Sequence, residues 1–117
     1  MAMVHLEMQK KNLGQPDEVL RVGVMDGLIT KETVALHGVE VHRVTFSVGA
    51  KTRRPCSLPH VGYLLSGRLG VRMVDGSEDV YGPEDVMMLP PGHDAWTIGN
   101  EPCVYVEFSN GLDYYAS

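Results

Sequence analysis

The stretch His60-Val61-Gly62-Tyr63-Leu64-Leu65-Ser66-Gly67 decides how the rest of the chain is read. Its aromatic and aliphatic residues suit a pleated, half-buried run, and a glycine closes it where the chain must turn. Val61–Ser66 and Arg68–Asp75 therefore read as strands flanking Gly67. Moving outward, Asp75-Gly76 signals a hairpin into Asp79–Tyr81. Gly82-Pro83-Glu84-Asp85 is a further turn, and Val86–Leu89, apolar on both faces, reads as a buried strand broken by Pro90-Pro91-Gly92. Ala95–Ile98 and Pro102–Ser109 finish the series, with Gly99-Asn100-Glu101 between them.

Upstream of His60 the same texture holds. Val39–Val48 is rich in β-branched residues, and a period of two puts His42, Val44, Phe46 and Val48 on one face, Val41, Arg43 and Thr45 on the other. Val19–Met25, closed by Asp26-Gly27, and Thr33–His37 precede it. Gly49–Pro59 is irregular and carries Lys51, Arg53, Arg54 and Cys56. No amphipathic helix of ordinary length interrupts the body, so short strands at regular spacing predict an all-β sandwich or barrel. Residues 1–16 form a polar arm ending in Gly14-Gln15-Pro16, with room for a helical turn across Leu6–Asn12 or, equally, for packing on a neighbouring subunit; residues 17–117 form the barrel domain.

The composition suits one folded domain. The 117 residues are 44% hydrophobic and 21% charged, and 13 glycines with 7 prolines match a chain of many tight turns. A net charge of -5 argues against nucleic acid, which requires a concentrated basic face. There is no secretory apolar stretch at the start and nothing near the ~20 apolar residues of a membrane span. Two cysteines, Cys56 and Cys103, are too few for a disulfide framework, so a cytoplasmic protein with reduced thiols is expected.

Gly49–Phe108 resembles the cupin superfamily, whose barrel carries two motifs. His60–Gly67 is similar to the closing half of the first, and Gly82 with Pro90-Pro91-Gly92 to the opening half of the second, with one extra residue before the Pro-x-Gly. The resemblance implies a double-stranded β-helix, or jelly-roll, barrel. It also implies a metal held by three histidines and a glutamate, and here this chain departs. His60 stands at the glutamate position, Cys56 and Arg54 at the two histidine positions of the first motif, and Ala95 at the histidine position of the second.

The replacements still carry ligand chemistry. Cys56 and His60 share a face if their segment is extended, and the family frame brings His93 near them. A Cys, His, His set with an open fourth position has the composition of a catalytic zinc site, and iron accepts the same donors. The bland alternatives are a small buried cysteine, a core histidine bonded to backbone and an exposed turn histidine. Asp94 could orient His93, provided the strand bends between these neighbours. Cys103, Tyr105 and Glu107 share one face. Facing the cavity, Glu107 is a general base, alongside His60, or a fourth ligand; facing outward, it is a solvated edge residue. Trp96, His42, Arg54 and Tyr105 are the candidate contacts to a bound small molecule.

Two functional classes follow. One is a metal-dependent enzyme of oxygenase or isomerase type, with zinc or iron as cofactor. The other is a metal-free barrel that binds or senses a small organic molecule. Either fits a homodimer, since a chain this small gains from burying further surface and the barrels this one resembles commonly pair.

Overall fold

The computed structural model describes residues 7–109. Nine strands follow in order: β1 (Glu18–Val24), β2 (Gly27–Leu36), β3 (Val39–Phe46), β4 (His60–Ser66), β5 (Arg68–Met73), β6 (Glu78–Tyr81), β7 (Val86–Leu89), β8 (His93–Ile98) and β9 (Cys103–Ser109). They make two antiparallel sheets. One has the order β1-β2-β3-β9-β4-β7 and the other β6-β5-β8. The non-consecutive neighbours are crossovers between layers, which is the jelly-roll arrangement.

Alternation along the strands sets the core. His42, Val44 and Phe46 on β3 pair with Glu107, Tyr105 and Cys103 on β9, and all six are buried. On β4, Gly62 and Leu64 pair with Glu107 and Tyr105, which carries the inner face across to Met87 and Leu89 of β7. The small sheet closes over it with Leu69, Val71 and Ala95, giving one apolar cluster. Leu64, Leu69, Met87 and Cys103 are its fully buried side chains.

Gly67 ends β4 with φ of +76°, and a Cβ there would meet Pro102 O, so the turn after Ser66 depends on glycine. The segment from Ser47 to Pro59 crosses between the sheets through isolated bridges: Lys51 pairs with Met25 and with Trp96, and Cys56 with His93.

Three expectations change. β2 begins at Gly27 rather than Thr33, because Asp26-Gly27 turns β1 directly onto it in register from Val24↔Gly27 to Glu18↔Thr33. Polar Thr30, Lys31 and Glu32 disguise that half; Glu32 pairs with Arg43 at 2.9 Å on the outer face. β8 begins at His93, two residues earlier than Ala95. The helical turn is absent: Glu7–Asn12 has no regular secondary structure, and Leu6 lies outside the described residues. This arm is tied to the barrel where Arg43 Nη2 donates to Leu13 O and His37 N donates to Gln9 Oε1.

Candidate metal centre

Cys56, His60 and His93 converge at one end of the barrel, their ligand atoms all within 4.8 Å of one another. Backbone pairing explains the meeting of residues so far apart in sequence. Cys56 N donates to His93 O at 2.8 Å, and Gly92 N donates to Cys56 O at 2.7 Å, so the Cys56 segment lies alongside the start of β8. Residues opposed in an antiparallel bridge project to the same side. His60 opens β4 on the inner face, opposite Leu89. The two imidazole rings stand edge to face, centroids 5.0 Å apart, and Cys56 Sγ is 3.3 Å from His60 Nε2.

The surroundings orient both rings. His93 Nδ1 is 2.8 Å from Pro90 O. A carbonyl only accepts, so Nδ1 carries the proton and Nε2 keeps its lone pair. His60 Nδ1 faces Glu107 Oε2 at 2.5 Å, leaving Nε2 towards Cys56. That contact is close but poorly directed, and Glu107 Oε2, buried, makes no well-formed hydrogen bond. Imidazoles that present one nitrogen to a metal while the other donates to a carboxylate or backbone carbonyl are the usual supported ligands. Gly62 permits the approach: it sits opposite Glu107, and a Cβ there would lie 2.7 Å from Val106 O and 3.4 Å from Glu107 Cβ.

Electrostatics follow from this packing. Burial alone lowers the His60 pKa, but the Glu107 carboxylate and Cys56 outweigh it and leave the pKa raised. The His42 pKa is lowered, first by burial and then by Lys31. Burial pushes the Cys103 thiol up to about 12. Burial, then Glu107 and Cys103, hold Tyr105 well above the ordinary phenol range.

The other candidate residues divide by face. Glu107 is inward and 5% exposed, so its side chain faces the barrel interior and not solvent. Tyr105 is inward too, but it packs in the core against Phe46, ring centroids 6.2 Å apart. His42 is inward with both nitrogens engaged, Nδ1 with Thr33 Oγ1 at 2.7 Å and Nε2 with Ser109 Oγ at 2.6 Å. Trp96 alternates to the face opposite His93; its indole lies on Gly70, with Lys51 Nζ 6.0 Å from the ring centre. Arg54 is exposed in a bend. Neither Trp96 nor Arg54 is brought to the cluster. Asp94 also turns away from His93, accepting from Thr52 Oγ1 at 3.2 Å, because neighbours on a strand point oppositely. The Pro90 carbonyl takes the orienting role instead. Sequence reasoning missed it, and the Pro-Pro-Gly break just before His93 is the only signal that could have suggested it.

A thiol and two imidazoles with free inward lone pairs, backed by oriented acceptors, are a donor set that can hold a divalent metal. No family model matches the chain, and no curated protein matches it. Solved structures do. A sugar phosphate isomerase of the cupin superfamily from Silicibacter pomeroyi is 19% identical, with 86% of this chain and 74% of that one covered and a TM-score of 0.65. The polyketide cyclase RemF from Streptomyces resistomycificus is 18% identical, covering 86% and 78%, TM-score 0.63. A cupin-like protein from Thermotoga maritima is 18% identical, covering 71% and 68%, TM-score 0.57. At such identities the likeness is one of fold.

Proposed function

Because this chain has the cupin fold, we propose that it uses the barrel mouth as cupins do, binding a divalent metal, zinc or iron, through Cys56, His60 and His93. The observation that carries the proposal is the pairing of the two rings with their acceptors: His60 Nδ1 with Glu107 and His93 Nδ1 with Pro90 O leave two Nε2 atoms beside one thiol. Three protein ligands leave a position open, and there a small organic molecule binds. A metal in such a site supplies Lewis acidity to a bound oxygen. Glu107 faces the His60 ring from behind, and the chemistry proposed at the open position is of oxygenase or isomerase type. A thiol ligand fits a reducing cytoplasm, since the thiol must stay reduced.

Among the described residues, no helix is long and apolar enough to cross a membrane. The outer face of the larger sheet supports a homodimer. Val61, Tyr63 and Leu65 on β4, Val86 and Met88 on β7 and Phe108 on β9 are all exposed there, forming a continuous apolar strip at the β7 edge. Such a strip exceeds the scattered apolar residues of an ordinary surface and suits a second copy across a twofold axis.

Elemental analysis of protein purified without added metal or a chelating tag tests the metal. The expected result is close to one first-row metal per chain, lost in both Cys56→Ala and His93→Ala. A metal-free protein that also takes up no added zinc favours the metal-free binding barrel instead.

A further inference from the structure

The cluster also contains an array that needs no metal. Cys56 Sγ lies 3.3 Å from His60 Nε2, and the opposite nitrogen of that ring faces Glu107. This is the order nucleophile, base, orienting carboxylate. Glu107 is 5% exposed, and its Oε2, without another hydrogen-bond partner, faces His60 Nδ1. Cys56 itself is only half-buried, flanked by exposed Pro55, Ser57 and Leu58.

We propose that Cys56 is a modification site for hydroperoxides, converted to sulfenic acid with His60 as proton carrier and Glu107 as a positioning residue. The thiol proton passes to His60 Nε2 as sulfur attacks one peroxide oxygen. The O–O bond breaks, and the leaving oxygen takes that proton from Nε2 to depart as water or an alcohol. Sulfur is oxidised by two electrons and the peroxide is reduced by two. One feature favours a peroxide over an acyl group. The amides of Cys56 and Gly92 already donate to His93 O and Cys56 O, so neither is free to hold an acyl oxyanion. The other cysteine is an internal control, because Cys103 is fully buried in the core.

The step goes beyond the metal reading and belongs to the metal-free chain, because a metal on Cys56 Sγ and His60 Nε2 would occupy both the nucleophile and its proton carrier. Its test uses the full chain after chelator treatment, exposed to hydrogen peroxide with a 1,3-dione trap and mapped by mass spectrometry. The expected result is a trapped adduct on Cys56 and none on Cys103, forming about a hundredfold more slowly in His60→Ala. Glu107→Gln is also slower, and Glu107→Asp recovers most of the rate. Equal labelling in wild type and His60→Ala overturns the proposal. If His60→Ala does not fold, the wild-type rate is set against that of a free cysteine derivative in the same buffer. A faster rate supports the proposal, and an equal or slower one overturns it. Metal content is measured separately before chelator treatment, so a protein without metal whose Cys56 is still oxidised refutes only the metal site.

Discussion

Glu107 Oε2 lies 2.5 Å from His60 Nδ1, so a buried carboxylate stands behind the one ring that faces both Cys56 and His93. The pairing is set by backbone register. Glu107 is opposite Gly62 on one side and His42 on the other, and the missing side chain of Gly62 lets His60, two residues earlier on the same face, reach it.

If Glu107 orients His60, Glu107→Gln keeps the fold and weakens metal binding by about 10–100-fold, the usual cost of losing a ligand's carboxylate partner. Competition against a chromophoric chelator measures it. Unchanged affinity would mean that the contact does not support a ligand.

The core prediction concerns Leu64, fully buried where β4 meets β9. Leu64→Ala lowers the unfolding free energy by about 2–5 kcal/mol through lost transfer energy and a residual cavity. Denaturant melts give the value. Leu65→Ala, on the exposed face of the same strand, is expected to cost far less.

His42 gives a pH dependence with a definite sign. Its folded-state pKa lies below the ordinary 6.5, chiefly through burial. As pH falls through that ordinary value the unfolded chain binds a proton that the native His42 resists, so native stability is lost in this window. His60, whose pKa is raised, contributes in the opposite sense, but it does so in wild type and variant alike. Between pH 7.5 and pH 5, wild type should therefore lose more stability than His42→Gln in paired denaturant melts. Parallel curves would remove His42 from the account.

The exposed strip on β4, β7 and β9 predicts that Tyr63→Asp combined with Met88→Asp shifts the protein from dimer to monomer in light scattering, with metal content unchanged. A wild type already monomeric at high concentration contradicts the dimer.

Much of the barrel was legible because alternation survives in the sequence. Val39–Phe46 announces its two faces residue by residue, and Asp75-Gly76 and Gly82 mark turns that the structure makes. The first half of β2 was not legible, since Thr30, Lys31 and Glu32 look like loop and are held in the sheet by register with β1 and by Arg43. The cluster itself was half legible. The parity of Cys56 and His60 and the kinship of the motifs indicated the place, but bringing His93 to Cys56 takes an isolated bridge across an irregular segment. Local pattern carries no information on such a bridge. The face of Glu107 was equally hidden: alternation links it to Cys103 and Tyr105, yet only the packing of the second sheet decides which face is inside.

The most direct measurement is X-ray absorption at the metal edge of the protein as purified. The account predicts a first shell with one sulfur at about 2.3 Å and two imidazole nitrogens at about 2.0–2.1 Å if the metal is zinc, with the sulfur lost in Cys56→Ser. A first shell of oxygen and nitrogen alone, unchanged by Cys56→Ser, contradicts it.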